Sequence, residues 1–304
     1  MNNKSKFSLT LLIALLITGL LSSCFKEDLS DCPVPIRVSV RALDVEQNDI
    51  TATGQVKNVI LFAFNENQDL VDVFQLSVDE VKNKKMIDIE MDYPGHEAIT
   101  FIAWGNVDNS LDVSDISSVK KLIDLYVRLV VKDGYAQPAS DFFRGNLSVF
   151  VERVGDPQTA TRSTKEHVVD INRMTAGVTI NTVSLKEYND NKEGNYTYVL
   201  RSSSETYYPE GNQTGEAVAY APNASFTSNG IFSAPIFYTF PTEYYTVEIY
   251  YDGRLIYTAD KDADGNQFVP QVGRTLNILI DFRAGTSIKT VITPWNVVYQ
   301  YVEL

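Results

Sequence analysis

Apolar and polar residues alternate along much of the chain after residue 33, which is the pattern of β-strands with one buried face. The first such run places Ile36, Val38 and Val40 on one face and arginine and serine side chains on the other. The stretch Val56–Phe64 is apolar almost throughout, which indicates a strand covered on both sides. These patterns predict a mainly β protein.

Further runs of the same kind predict additional strands. Asp252-Gly253 lies between two of them and is a strong signal for a two-residue hairpin turn. The additional predicted strands are Leu70–Leu76, Lys85–Met91, Ile99–Trp104, His167–Ile171, Gly177–Leu185, Tyr196–Arg201, Ile231–Phe240, Tyr244–Tyr251, Arg254–Ala259, Arg274–Arg283 and Ser287–Leu304.

One segment departs from the alternation. Over Ser114–Val131 the apolar residues recur at offsets of three and four, among them Val119, Leu122 and Ile123, and Ser114 is a suitable N-cap. This spacing predicts one short amphipathic helix in the first domain, lying on a β-sandwich.

A polar segment that contains glycine and proline, Arg153–Lys165, has no apolar periodicity and is the best candidate linker. We therefore expect two tandem antiparallel β-sandwich domains, at residues 34–160 and 161–304. Residues 1–23 and 24–33 precede these domains and have a different character.

The first 23 residues are typical of a secretory signal peptide. Two lysines precede the apolar run Phe7–Leu21, which is shorter than the roughly 20 residues that span a bilayer as a helix. Leu-Ser-Ser-Cys at residues 21–24 resembles a bacterial lipobox, so we expect cleavage before Cys24 and lipidation of its thiol. The alternative is an ordinary secretory signal with an incidental cysteine.

Lys26, Glu27 and Asp28 follow this cysteine closely. A basic residue with two acidic residues at this place resembles the short export tag of surface lipoproteins in the Bacteroidota. We therefore expect export to the cell surface, on the outer membrane. The alternative is a solvated charged tether.

The chain of 304 residues is acidic, with 26 Lys and Arg residues against 39 Asp and Glu residues and a formal net charge of −13. Removal of residues 1–23 takes away two lysines and no acidic residue, which brings the charge to −15. Nucleic acids and anionic headgroups both attract basic residues. We therefore expect no nucleic-acid partner, and we expect the lipid to hold the protein on the membrane.

Cys32 is the other cysteine of the chain. Because Cys24 is expected to carry lipid, no disulfide within the mature chain is expected. A free cysteine behaves as a small hydrophobe, so we expect Cys32 to be buried.

Candidate catalytic residues are few. His96 and His167 lie in different predicted domains, and the chain has too few further ligands for a zinc site. The nucleophile elbow, the P-loop and the dinucleotide-binding glycine pattern are all absent from the sequence. We therefore expect neither an enzyme nor a cofactor, although dispersed carboxylates of a glycoside hydrolase would leave no pattern in the sequence.

Asp260, Asp262 and Asp264 match the start of a calcium loop, with Gly265 at the sharp turn. The twelfth position is Gln271, where such loops carry a bidentate glutamate. The alternative is a hairpin in which Gly265 makes the turn, and the missing glutamate favours this alternative.

Many of the 17 tyrosines cluster, at residues 207–208, 244–245 and 250–251, with another at Tyr238. Exposed aromatic rings suit a sugar-binding or protein-binding face, but aromatic residues also fit ordinary strands. The clusters keep open an alternative function, a surface glycan-binding lipoprotein of a nutrient-uptake system.

Several motifs appear in the order typical of one family. The motifs are the Asp28-Leu29-Ser30-Asp31-Cys32-Pro33 opening, Val59–Phe64 followed by Asn65-Glu66-Asn67, Phe101–Asn106, Phe143-Arg144-Gly145, Ile171–Ala176 and Ile292–Trp295. With these motifs the chain resembles the FimB-type fimbrial anchor lipoproteins of the Bacteroidota, which belong to type V fimbriae. In the third-last motif Arg144 stands where the family usually has histidine.

This resemblance implies two transthyretin-like β-sandwich domains and an anchor or accessory subunit that ties a fimbrium to the outer membrane and limits its length. Subunits of such fimbriae join by strand donation, in which one chain completes the sheet of its neighbour. The last segment, which begins at Trp295 and carries Val298, Val302 and Leu304, is the candidate exchange segment. The alternative is an ordinary final strand. Stalk subunits are trimmed after an arginine, and we expect no such cut at Arg37 or Arg41.

Overall fold

The computed structural model describes residues 31–89, 95–155, 164–201, 206–207, 213–214 and 217–299. Strands dominate these ranges, which confirms the predicted mainly β class. The first strands are β1 (Ile36–Leu43), β2 (Asn58–Asn65), β3 (Leu70–Ser77), β4 (Ile87–Ile89), β5 (Ala98–Gly105), β6 (Leu111–Val113), β7 (Val127–Leu129), β8 (Val131–Lys132), β9 (Tyr135–Ala136), β10 (Phe143–Phe150) and β11 (Lys165–Arg173).

The remaining elements follow in chain order. The later strands are β12 (Ala176–Val183), β13 (Tyr196–Arg201), β14 (Thr206–Tyr207), β15 (Gln213–Thr214), β16 (Ala219–Tyr220), β17 (Ser225–Phe226), β18 (Phe232–Thr239), β19 (Thr246–Tyr251), β20 (Arg254–Ala259), β21 (Arg274–Asp281) and β22 (Ser287–Pro294). The helices are α1 (Val78–Lys82) and α2 (Leu185–Tyr188), with 3-10 turns at Thr51–Thr53 and Leu122–Asp124.

Seven strands in the order β3-β2-β5-β10-β11-β1-β4 form one hydrogen-bonded sheet. β10 and β11 pair over only two residues, and side chains from both parts of the sheet, such as Val40 and Phe101, share one apolar cluster. The sheet therefore bends between β10 and β11 and closes into a sandwich, called here the first sandwich. Gly145 lies at the bend, where a Cβ atom would be 2.0 Å from the carbonyl oxygen of Asp170.

The N-terminal strand β1 is an interior strand of this sheet. It pairs in parallel with β11 from Ile36 to Leu43 and antiparallel with β4 on its other side. The predicted division between residues 160 and 161 precedes β11, although β11 pairs within the first sandwich. The proposed domain boundaries therefore stay a prediction.

Two further sheets form a second sandwich, with strand orders β17-β18-β12-β21-β22 and β20-β19-β13-β16-β9-β8. Tyr198 of β13 is fully buried between these sheets, and its hydroxyl donates to the carbonyl of Phe232 at 2.8 Å and accepts from the Thr182 hydroxyl at 2.7 Å. Burial raises the pKa of the Tyr198 hydroxyl, which therefore stays protonated and donates. A fourth sheet, β15-β14-β7-β6, lies beside the sandwiches.

The two sandwiches share a continuous apolar core. The outer face of β2 and β5, which includes Phe62 and Trp104, belongs to the same buried cluster as Val178 and Leu200 of the second sandwich. Phe62 and Trp104 meet edge to face with ring centroids 5.1 Å apart. This packing ties the two halves of the chain together.

The predicted helix over Ser114–Val131 is wrong. This segment contains a 3-10 turn and β7, while α1 is the short helix of the first half. Ile123, which completed the helical spacing, is 75% exposed, whereas Leu125, Val127 and Leu129 are buried with a period of two. The Ser114 hydroxyl accepts from the backbone N–H of Tyr126 and donates to the carbonyl of Asp124, so it bridges the segment instead of capping a helix.

Within the described ranges, no helix is long and apolar enough to cross a membrane. The apolar run Phe7–Leu21, together with Cys24, Lys26, Glu27 and Asp28, lies outside the described residues.

Candidate functional site

The N-terminal part of the predicted exchange segment follows an edge strand. β22 pairs with β21 from Ser287 to Pro294, at the end of its sheet. The described residues that follow, Trp295–Tyr299, are called here the C-terminal segment. Val302 and Leu304, which complete the predicted exchange segment, lie outside the described residues.

The C-terminal segment exposes apolar side chains. Val297 and Val298 are each 46% exposed, Tyr299 is 43% exposed, and Ile292 of β22 adds to the same stretch. Hydrogen bonds between side chains and the backbone hold this stretch. Tyr299 N donates to Oδ1 of the buried Asn277 at 3.0 Å, and Thr293 Oγ1 donates a short bond to the carbonyl of Val297.

A buried arginine lies under the start of the segment. The side chain of Arg173 is 2% exposed, and it binds the Asp141 carboxylate through two hydrogen bonds of 2.6 and 2.9 Å. Its Nη2 atom also donates to Gln55 Oε1 at 2.9 Å. Burial raises the pKa of the Asp141 carboxyl, and the adjacent guanidinium acts in the opposite direction.

Two aromatic rings pack against the guanidinium of Arg173. The Cζ atom of Arg173 lies 4.7 Å from the ring centroid of Phe143 and 4.2 Å from that of Trp295. Tyr238 stacks on the far side of Trp295, with centroids 4.8 Å apart and ring planes 17° apart. These four side chains, Phe143, Arg173, Trp295 and Tyr238, are called here the arginine stack.

Asn106 organises the partners of Arg173. Its Nδ2 atom donates to the carbonyls of Gln55 at 3.0 Å and Asp141 at 2.8 Å, while its Oδ1 atom accepts from the backbone N–H of Lys57. Asn106 has a φ of 60°, a left-handed conformation that asparagine tolerates well. The Trp-Gly-Asn motif at the end of β5 therefore positions both residues that bind Arg173.

The beginning of the described chain is fixed against the end of β10. Val34 N donates to the carbonyl of Glu152 at 2.8 Å, and Val154 N donates to the carbonyl of Cys32 at 3.0 Å. The thiol of Cys32 is free and the residue is half-buried, outside the apolar core in which we expected it. The described chain therefore begins in hydrogen-bonded contact with the first sandwich.

The predicted calcium-loop residues lie in a hairpin. Asp262 Oδ1 accepts from the backbone N–H groups of Asp264 at 3.0 Å and Asn266 at 2.8 Å, and Gly265 has a φ of 85°. Among the residues described, no group of three or more His, Cys, Asp or Glu side chains is arranged to hold a metal ion. A calcium role for Asp260, Asp262 and Asp264 stays a prediction.

The clustered tyrosines differ in burial. Tyr245 is a core residue and Tyr244 is 40% exposed, whereas Tyr251 lines an open groove of about 580 Å³ together with Tyr188, which lies outside the clusters. Tyr188 is 44% exposed and stacks on Phe282 with centroids 4.0 Å apart.

Sequence reasoning missed the arginine stack, although a signal was present. Val169, Ile171 and Arg173 occupy alternate positions of β11 and all three are buried. A charged residue at an inward position of a strand needs a partner, because a buried unpaired charge is costly. The pattern therefore indicated that Arg173 has a buried acidic partner. It did not identify Asp141 as that partner or Trp295 as a ring that packs against the guanidinium.

Comparison with known proteins relates this arrangement to one family. The model for Mfa2, described as fimbrillin-A associated anchor proteins Mfa1 and Mfa2, matches residues 29–301. The major fimbrium anchoring subunit FimB of Porphyromonas gingivalis is 36% identical over 315 residues, which cover 100% of both chains. Another FimB of this species is 35% identical over 309 residues, which cover 99% of this chain and 98% of the relative.

A solved structure agrees with this result. The fimbrial anchor protein Mfa2 from Porphyromonas gingivalis has a TM-score of 0.60 and 16% identity, over 89% of this chain and 100% of that chain. The resemblance deduced from the ordered motifs is thereby confirmed. The chain belongs to the family of fimbrillin-A associated anchor proteins.

Proposed function

We propose that this protein is the anchor subunit of a fimbrium, held on the outer membrane by lipid on Cys24 and joined to the fimbrium by its C-terminal segment. The observation that carries the proposal is the contrast between the two ends of the described chain. Its first strand is built into the interior of a sheet, while its last residues leave an edge strand with apolar side chains exposed.

The N-terminal end suits attachment to a membrane. β1 is paired on both sides, and its arginines are engaged, since Arg37 binds Asp88 at 2.5 Å and Arg41 binds Asp170 at 2.6 Å. A force applied through lipid on Cys24 would act along this strand. A ladder of backbone hydrogen bonds resists such a force better than a loop does.

The same strand accounts for a limit on fimbrium length. Strand donation needs an open place in the receiving sheet. Because β1 fills its place between β11 and β4, the first sandwich offers no such opening at that position to another subunit. A chain that donates a strand and accepts none at the position of β1 would end the polymer at the membrane.

The lipid half of the proposal is tested by Cys24→Ala, with Cys32→Ala as the control. We expect Cys24→Ala to remove the protein from the outer membrane and to release fimbriae into the medium, since two or more acyl chains supply the membrane affinity. Cys32→Ala is expected to keep both on the cells. Fimbriae that stay on Cys24→Ala cells would contradict the anchor role.

The partner half is tested by Val298→Asp, with Val297→Asp as the matched control. The two valines are equally exposed, but neighbouring residues of an extended segment face opposite sides. In an extended donated strand, Val298 would share its side with Val302 and Leu304, the residues expected to be buried in the partner. We expect Val298→Asp to shed fimbriae while the protein stays on the cells, and Val297→Asp to retain them.

A second candidate function is glycan binding, favoured by the groove that Tyr188 and Tyr251 line. Asp252 and Arg254 add polar groups to the aromatic walls, a combination that suits a sugar. Saturable heat of binding with a surface glycan, lost in Tyr188→Ala and kept in Tyr244→Ala, would support it. Tyr244 is a suitable control because it is 40% exposed and does not line the groove.

A further inference from the structure

We propose that Arg173 is a positioning residue that fixes Trp295, called here the root of the C-terminal segment, so that strand exchange begins beyond Asn296. The exchange itself rests on the proposed function. The fixed root is a property of this chain alone and is tested separately.

The planar guanidinium of Arg173 is held in place by hydrogen bonds, and Trp295 packs against it. Asp141 and Gln55 bind Nε and Nη2 by three hydrogen bonds of 2.6 to 2.9 Å, which leaves the faces of the planar group for aromatic rings. The ring centroids of Phe143 and Trp295 lie 4.7 and 4.2 Å from Cζ. Only arginine can bind a carboxylate by two bonds and pack against two rings at once, because lysine carries a compact point charge.

The root connects the C-terminal segment to both sandwiches. Phe143 and Arg173 lie on β10 and β11 of the first sandwich, and Tyr238 lies on β18 of the second. The ring of Trp295 lies between Arg173 and Tyr238. A load on the C-terminal segment is therefore transferred to the packed core of the whole chain.

A hinge follows the root. Asn296 has a φ of 60°, and its Oδ1 atom accepts from the Tyr238 hydroxyl at 2.7 Å. The valines that come next are 46% exposed. The change from aromatic stacking at Trp295 to exposed side chains at Val297 marks the boundary between the part that stays and the part that can pair with another subunit. Trp295 thus belongs to the root, whereas the sequence had assigned it to the exchange segment.

The test follows chymotrypsin cleavage at the Tyr299–Gln300 bond in the full-length protein extracted with detergent from its own cells. Trp295→Leu keeps an apolar side chain but removes the aromatic face, and Trp295→Phe keeps that face. We expect cleavage about ten-fold faster in Trp295→Leu, equivalent to ~1.4 kcal/mol, and within about two-fold of wild type in Trp295→Phe. Equal rates in Trp295→Leu and wild type would overturn the proposal.

Arg173→Lys keeps the positive charge and removes the planar group. We expect its cleavage to match that of Trp295→Leu and the tryptophan emission to move to longer wavelength, since Trp295 loses its cover. Because Trp104 is 1% exposed, a change in emission reports on Trp295. Wild-type emission and cleavage in Arg173→Lys would also overturn the proposal.

Shear resistance of fimbriae separates this proposal from the function on which it rests. If Val298→Asp sheds fimbriae and Trp295→Leu holds them as firmly as wild type, the root is refuted and the donated strand stands. If Trp295→Leu is cleaved faster and Val298→Asp keeps its fimbriae, the root stands and strand donation fails.

Discussion

Among the described residues, removal of the Asp141 carboxylate would leave the buried Arg173 guanidinium with Gln55 as its one hydrogen-bonding side chain. The side chains of the pair are 2% and 18% exposed, so water cannot replace the carboxylate without opening the structure. Breaking a buried ion pair by removing one partner costs roughly 3–5 kcal/mol. We therefore expect Asp141→Ala to lower the free energy of unfolding by about that amount.

An exposed pair in the same sandwich is the matched control. Arg37 and Asp88 are 2.5 Å apart, against 2.6 Å for Arg173 and Asp141, but their side chains are 44% and 67% exposed. Exposed pairs contribute roughly 0–1 kcal/mol, so Asp88→Ala should change the unfolding free energy by no more than that. The contrast isolates burial, because both substitutions remove an aspartate from an arginine.

The assay is urea unfolding of each variant, followed by tryptophan fluorescence and circular dichroism, with the double variant Arg173→Met and Asp141→Leu included. The double variant should recover most of the loss, since apolar side chains of similar size leave no buried charge. Equal losses in Asp141→Ala and Asp88→Ala would refute the reasoning. A double variant as unstable as Asp141→Ala would refute it as well.

Three further substitutions test other parts of the fold. Gly145→Ala should abolish folding or cost several kcal/mol, measured by thermal unfolding, because its Cβ would lie 2.0 Å from the Asp170 carbonyl oxygen. Tyr198→Phe should cost about 1–3 kcal/mol in urea unfolding, because a buried hydroxyl partner loses its hydrogen bond. Hydrogen bonds from Lys85 and Ser77 lower the pKa of Glu80 to about 2, below its ordinary value near 4.5. The resulting stability is present above pH ~4.5 and is lost as the pH falls toward ~2, so Glu80→Gln should flatten the pH dependence of Tm in that window.

Local patterns predicted local structure well. The Asp252-Gly253 hairpin is confirmed between β19 and β20, with φ angles of 46° and 77° at the two turn residues. Many strands with strict alternation or continuous apolar runs lie within a few residues of their predicted bounds, since their side chains face one buried surface or two. The last strand is an exception, because it was predicted over Ser287–Leu304 and ends at Pro294. The helix over Ser114–Val131 failed because one exposed residue, Ile123, completed a false periodicity.

Sequence patterns do not predict features that depend on residues far apart in the chain. Parallel pairing of β1 with β11 joins residues more than 120 positions apart, and no local signal specifies it. The arginine stack combines Arg173 with Trp295 in the same way. Asn106 lies between these two cases. Its motif is visible in the sequence, but its hydrogen bonds to the carbonyls of Gln55 and Asp141 depend on the fold.

The central claim is that the C-terminal segment contacts the fimbrium while the other end of the chain is held at the membrane. Site-specific photo-crosslinking tests it most directly, with a photoreactive amino acid at Val298 and, as the control, at Tyr188 in the distant groove. The account predicts that cells carrying the Val298 probe yield a covalent product between this chain and one fimbrial subunit, and that the Tyr188 probe yields none. Cross-linking to a fimbrial subunit from Tyr188 and not from Val298 would contradict it.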